Sequence, residues 1–204
     1  MKPPAWAILP AKSLSRGKSR LSSVLAHDDR TRFARQLLEH VLGVLRASPL
    51  EGLLVATDGD DVADLAAAVG ARVLRDRGED SLAALVDRAL TEVASQGARS
   101  ALVLMADLPY IEPRDVAELL SALADSDIVL VRDHLGRHTN ALAVSPPTAI
   151  RTCFGRPSSF ADHCAAATAA GLRIAVLDND RIAFDVDGPA DHFALMEGRR
   201  VAGT

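Results

Sequence analysis

The sequence predicts an α/β protein with a mostly parallel central sheet and helices on both faces. Three observations predict it. Short apolar runs alternate with longer stretches of 3.6-residue periodicity through the first two-thirds of the chain. That β-α-β alternation requires right-handed crossovers and so a Rossmann-like open sheet. The chain is also long enough, at 204 residues with 49% hydrophobic and 25% charged content, to bury a full core without disulfide or metal staples.

The elements follow in order. Ala5 to Leu9 is a short apolar run closed by Pro10, the first strand. Arg30 to Ala47 carries Phe33, Leu37, Leu38, Val41, Leu42, Val44 and Leu45 on one stripe and predicts a helix. Leu53 to Ala56 is a buried-type strand ending at Thr57-Asp58-Gly59. Asp60 or Asp61 is the expected cap of the next helix, which runs to Val69 with Gly70 at its C′ position. Arg72 to Leu74 is a short strand. Asp80 or Ser81 then caps a helix that turns Leu82, Leu85, Val86, Ala89, Leu90 and Val93 inward and stops near Gly97. Ala101 to Ala106 is the most apolar strand and ends at Asp107-Leu108-Pro109. Pro113 suits the first turn of a helix bearing Val116, Leu119, Leu120 and Leu123. Ile128 to Val131 is another strand. Beyond residue 131 the pattern loosens. A strand is expected at Asn140–Val144 and a helix at Ser158–Ala170 capped by Ser158 or Ser159. Further strands are expected at Arg173–Leu177 and near Ile182–Asp185, before a terminal helix. No repeat or linker divides residues 1–204, so a single domain is expected.

Composition removes several functions. With 23 basic and 27 acidic residues the formal charge is −4, unlike a general nucleic-acid binder. Aromatics at 3% leave few stacking platforms for single strands. Cys153 and Cys164 are too few for a disulfide scaffold or a cysteine-based zinc site, and read as small hydrophobes in a reduced compartment. Residues 1–6 do not form a signal peptide, and no stretch approaches the roughly 18 apolar residues of a membrane span. A cytoplasmic protein acting on small molecules is the expectation.

In an open α/β sheet, ligands bind at the carboxyl ends of the strands. The first strand leads into Pro10-Ala11-Lys12-Ser13-Leu14-Ser15-Arg16-Gly17-Lys18-Ser19-Arg20-Leu21, four cations with a glycine and three serines. Such a loop suits a polyphosphate, with hydroxyl and N–H donors and neutralising charge. Gly17-Lys18-Ser19 resembles the end of a Walker A loop, but the motif needs glycine where Lys12 stands. A P-loop kinase is therefore the second reading, and a non-catalytic nucleotide-binding domain the third. The fourth strand delivers Asp107, which is either a turn residue or a ligand for Mg²⁺. In Phe184-Asp185-Val186-Asp187, Asp185 and Asp187 stand two apart on an extended segment and so share a face. Their repulsion is relieved by a cation. If Asp107, Asp185 and Asp187 converge, they suit one or two Mg²⁺ ions in phosphoryl or nucleotidyl transfer. Acceptor-site candidates lie in the last third: Arg137, His138, Thr139 and Asn140 before a strand, and Gly155 and Ser158 before a helix N-terminus. His163, alone on an alanine-rich helix, reads as structural.

Taken in order, several of these pieces resemble one family: the 2-phospho-L-lactate guanylyltransferases of deazaflavin-coenzyme biosynthesis, with their phosphoenolpyruvate- and 3-phosphoglycerate-using relatives. The pieces are Pro10-x-Lys12 with Lys18-Ser19-Arg20-Leu21, Ala106-Asp107-Leu108-Pro109, Thr139-Asn140-Ala141, Phe154-Gly155 with Ser158, and Asp185-x-Asp187. The resemblance implies a Rossmann-like GT-A type fold, similar to the molybdenum-cofactor nucleotidyltransferases, with residues 1–131 as the nucleotide-binding half and 132–204 binding acceptor and metal. It implies attack of a phosphorylated three-carbon acid on the α-phosphorus of GTP, with Mg²⁺ and loss of pyrophosphate. Lys12, Lys18 and Arg20 would hold the triphosphate and, with Asp107, carry catalysis. Asp107, Asp185 and Asp187 would hold Mg²⁺, and Thr139, Gly155 and Ser158 the acceptor's phosphate. Nucleotide contacts fall at Asp80 and Ser81, where relatives are expected to carry Leu-Asn. Relatives often have glycines just before Thr-Asn, so Arg137 and His138 are expected to add cationic contact to the acceptor or to shift its choice. A homodimer is the expected assembly.

Overall fold

Side chains alternate across a pleated strand, so a strand buried on both faces feeds two cores at once. The computed structural model describes residues 5–76 and 81–198. In it β1 (Ala5–Pro10) sends Ala5, Ala7 and Leu9 to one core and Ile8 to the other. The same division holds for β2 (Gly52–Thr57), β4 (Ser100–Leu104), β5 (Ile128–Arg132) and β6 (Thr139–Val144). With β3 (Arg72–Arg75) and β7 (Ile174–Val176) they form one seven-stranded sheet, ordered β3-β2-β1-β4-β6-β5-β7. Helices α1 (His27–Arg46), α2 (Asp60–Ala68) and α4 (Pro113–Ala122) cover the first face. Helices α3 (Leu82–Ser95) and α5 (Ser159–Ala169) cover the second. Short helices α6 (Asp180–Ala183) and α7 (Pro189–Met196) complete the described chain.

β6 pairs antiparallel with both β4 and β5, while every other pairing is parallel. The start of β6 therefore lies beside the end of β4, where the Met105 N–H donates to the Asn140 carbonyl at 3.0 Å. Thr139 and Asn140 thus reach the carboxyl edge of the sheet from a strand that begins there.

Local chemistry explains where elements depart from the sequence expectation. α1 starts one turn early, with Asp28 and Asp29 in its first turn, where acidic groups favour the helix dipole. The α2 cap is Gly59, because the Asp61 carboxylate is engaged by the loop after β1. Ser81 caps α3 as expected, its side chain accepting from the Ala84 N–H, while Asp80 lies outside the described residues. The strand expected near Ile182–Asp185 is a correction: Asp180–Ala183 is one helical turn. There the Asn179 side chain accepts the N–H groups of Arg181 and Ile182, and the Arg181 guanidinium grips buried Asp115. Phe184 is extended, but Phe184–Asp187 joins no strand. Gly52 faces Trp6 across β1–β2, and a Cβ there would come within 2.4 Å of the indole ring.

Candidate active site

The loop after β1 is shaped by two aspartates, Asp58 just past β2 and Asp61 in the first turn of α2. The Ser13 N–H donates to Asp58 Oδ1 at 2.8 Å and the Leu14 N–H to Asp61 Oδ2 at 2.9 Å. The Arg16 guanidinium meets Asp58 Oδ2 at 2.6 Å. These N–H groups are therefore committed within the protein, and the loop presents its cationic side chains to the cleft instead. Gly17 and Arg16 both close on the Ser13 carbonyl, and Lys18 then adopts φ 54°. It is the one non-glycine residue with positive φ among the described residues, a conformation costing about 1 kcal/mol that surrounding contacts must hold. A 3₁₀ turn at Ser19–Ser23 follows, anchored by fully buried Leu21.

That twist carries the Lys18 ammonium to 2.5 Å from Asp107 Oδ2 and 2.7 Å from the Val186 carbonyl oxygen. Arg20 pairs with Asp187 at 2.8 Å near the surface. Lys12 is exposed on the rim, with no ion pair among the described residues. The three cations line a cleft of about 420 Å³, together with Leu82, Asp107 and Asp187.

Asp107, Asp185 and Asp187 come together: one carboxylate oxygen from each lies within 4.8 Å of the others. Burial raises the Asp187 pKa, and the charges of Asp107 and Asp185 add to this against Lys18 and Arg20. Lys18 and Arg20 offset part of the like charge of this hard oxygen donor set, which is of a kind that fits a Mg²⁺-sized cation. The segment bearing these residues is fastened at several points. Asn140 Nδ2 donates to the carbonyls of Ile182 and Ala183 and to Asp185 Oδ1, at 3.0, 3.1 and 3.2 Å. Asp191, the third residue of α7, accepts the N–H groups of Asp187 and Gly188. His134 stands between the two anchors, 3.6 Å from Asp185 Oδ1 and 3.5 Å from Asp191 Oδ1. The Asp185 carboxylate raises the His134 pKa against burial, with Asp191 and Asp133 adding to the rise.

The acceptor-site candidates divide. Asn140 is a clamp on Asp185, so its amide is occupied within the protein. His138 pairs with Asp133 at 2.9 Å, and Asp133 also accepts the N–H groups of Arg137 and His138. This leaves the exposed Arg137 side chain as the cation of that turn. Buried Thr139 donates its N–H to Ser159 Oγ at 3.1 Å, and its hydroxyl meets His163 Nδ1 at 2.9 Å. Ser159 is thereby diverted from capping α5. Ser158 is exposed at the N-cap, its hydroxyl on Asp162 at 3.2 Å. Gly155 has φ 83°, and a Cβ there would approach Leu82 Cβ to 3.3 Å. Ser81 faces a different hollow, shared with Arg151 and Arg156.

Asp61, expected as a helix cap, instead holds the loop after β1, and His163 is structural as expected; Asp58, His134 and Asp191 carry site architecture that the sequence reading did not assign. Only Asp191 had a readable signal, as the acidic third residue of a helix opened by Gly188-Pro189. The others depend on contacts across tens of residues.

The family described as "Guanylyl transferase CofC like" matches residues 5–200. A phosphoenolpyruvate guanylyltransferase of Chloroflexus aggregans is 40% identical over 185 residues, 88% of this chain and 90% of that protein. A 2-phospho-L-lactate guanylyltransferase of Halorubrum lacusprofundi is 35% identical over 185 residues, 90% of this chain and 81% of that one. In fold, the chain is similar to a candidate nucleotide-diphospho-sugar transferase from Desulfovibrio desulfuricans G20. That match has TM-score 0.79 and 18% identity, covering 97% of this chain and 88% of the other. No helix among the described residues is long and apolar enough to cross a membrane.

Proposed function

The chain belongs to the CofC-like guanylyl transferase family, and from that premise we propose that it moves GMP from GTP to the phosphate of a three-carbon phospho-acid, as a step in deazaflavin coenzyme biosynthesis. Phosphoenolpyruvate, named for the 40%-identical relative, is the first acceptor to test, with 2-phospho-L-lactate and 3-phosphoglycerate beside it. The observation that carries the reading is the convergence of Asp107, Asp185 and Asp187 beside a cleft lined by Lys12, Lys18 and Arg20.

In this reaction an acceptor phosphate oxygen forms a bond to the α-phosphorus of GTP while the bond to the β-phosphate bridging oxygen breaks, and pyrophosphate leaves. The acceptor phosphate is already ionised near neutral pH, so no strong general base is needed. Catalysis then rests on position and charge. Lys12 and Arg20 neutralise the triphosphate from the rim, and Lys18 does so from the floor of the cleft. Asp107, Asp185 and Asp187 would hold Mg²⁺, which neutralises phosphate charge when bound. Thr139, Gly155 and Ser158 would receive the acceptor's phosphate, with Arg137 near its carboxylate.

The test is incubation with GTP, Mg²⁺ and each of the three acids, reading pyrophosphate release, with ATP and CTP in parallel. Release is expected with GTP and at least one acid. No release with any of the three refutes the reading. Asp107→Asn should abolish turnover in a protein that still folds.

A further inference from the structure

Resting on the acceptor site proposed above, we propose that His163 is a positioning residue that makes the Thr139 hydroxyl a hydrogen-bond donor toward the acceptor's phosphate. His163 is fully buried on α5. Its Nε2 lies 2.7 Å from the Cys153 backbone nitrogen, and a backbone N–H can only donate. Nε2 therefore accepts and carries no hydrogen. The ring is neutral, because burial holds its pKa down to about 4. A neutral imidazole with a bare Nε2 has its hydrogen on Nδ1. Nδ1–H then faces Thr139 Oγ1 across 2.9 Å and shares its hydrogen with the Ser159 backbone carbonyl, one turn back on α5, so Nδ1 has no lone pair with which to take the threonine hydrogen.

This direction matters to the hydroxyl. Thr139 Oγ1 spends a lone pair on His163 and keeps its own hydrogen, with no second partner among the described residues. An ionised phosphate offers only acceptor oxygens. With the opposite tautomer, the threonine hydrogen would be spent on Nδ1 and its remaining lone pairs would repel a phosphate. Cys153 thus decides what Thr139 can bind, through a ring that joins the start of β6 to the turn before Gly155. Two contacts hold the arrangement. Ser159 Oγ fixes the Thr139 backbone, and the Phe154 ring packs edge-on against His163 at 4.7 Å between centroids.

The tautomer is read directly by long-range ¹H–¹⁵N correlation on the ligand-free full chain near neutral pH. One histidine should show a protonated Nδ1 and bare Nε2, and its signals should vanish in His163→Gln. If that variant fails to fold, Thr139→Val serves instead, since it should shift the same Nδ1. An Nε2-protonated or cationic His163 overturns the proposal. Kinetically, Thr139→Val should raise the KM for the acceptor about ten-fold or more, the scale of a lost hydrogen bond to a charged group, and leave the KM for GTP unchanged. Thr139→Ser should restore it. An unchanged acceptor KM in Thr139→Val also overturns the proposal. If the wild-type chain releases no pyrophosphate with any acid, the guanylyl-transfer reading fails on its own. Calorimetric titration of phosphoenolpyruvate into wild type and Thr139→Val then decides the donor role, and equal affinities overturn it.

Discussion

Lys18 occupies the place of a cation among three carboxylates, so replacing it with methionine should change metal binding and catalysis in opposite directions. The ammonium lies 2.5 Å from Asp107 Oδ2, with side-chain exposures of 11% and 22% for the two partners. Coulomb's law at that separation gives about 7 kcal/mol at an effective dielectric of ~20 and about 2 at ~80. Exposed pairs deliver less than about 1 kcal/mol once ordering and screening are counted. A pair this sheltered falls between these limits, at about 1–3 kcal/mol, or roughly 5- to 150-fold in an equilibrium constant. A divalent ion entering the wild-type cluster must overcome that attraction. In Lys18→Met it meets Asp107 unpaired, and nucleotide-free Mn²⁺ affinity should rise within that range. Guanylyl transfer should fall, since the triphosphate loses a positive contact. Calorimetry or Mn²⁺ paramagnetic resonance reads the first quantity, and pyrophosphate release the second. Unchanged or weaker Mn²⁺ binding would refute the picture of lysine and metal competing for Asp107.

Four further outcomes are expected. Asn140→Ala removes the donor that holds Asp185 Oδ1, and Mn²⁺ affinity should weaken about ten-fold, as for other partners behind metal ligands; equal affinity would show the clamp to be idle. Gly155→Ala forces a side chain into φ 83° against Leu82, and a loss of about 1–2 kcal/mol is expected from urea unfolding, with a neutral result contradicting the turn geometry. Arg181→Met leaves Asp115, which is fully buried, without its cation, and about 3–5 kcal/mol of stability should be lost; a loss under about 1 would be inconsistent with that burial. Burial lowers the His163 pKa from 6.5 to about 4, so the folded state binds fewer protons than the unfolded chain across that interval. The contribution is present above the unfolded value and is lost as pH falls toward the folded one, about 3 kcal/mol in all. His163→Gln should flatten the wild-type stability slope in that window, and parallel slopes would exclude His163 as its source.

The strands and most helices were legible because each carries its own period. The stripe of α1 and the all-apolar β4 need no distant partner to be recognised. The aspartate pair was legible for a similar reason. A separation of two on an extended segment puts Asp185 and Asp187 on one face, and the strand-end rule supplied Asp107. What failed depends on contacts remote in sequence. Ile182–Phe184 is apolar enough for a strand, yet the Asn179 cap and the hold of Arg181 on Asp115 wind it into a turn. Asn140 reads as a ligand contact because it closes a polar, basic run just before a strand, and nothing local reveals that its amide is consumed 45 residues away on Asp185. The commitment of Asp58 and Asp61 to the loop after β1 was equally hidden, since Asp58 also suits a turn and Asp61 a helix cap.

The reversed strand in the middle of the sheet also bears on how the molecule is assembled. β4 and β5 point the same way and are joined through α4, so they are competent neighbours before anything separates them. The native order instead requires β6 to turn back from β5 and enter between them as a wedge, sealing β4 along one flank and β5 along the other. Molecules in which β4 and β5 meet first must part again. Residues 139–144 thus act as the keystone of the sheet, joining its N-terminal and C-terminal portions, and the edge on which the aspartates assemble exists only once that piece is seated.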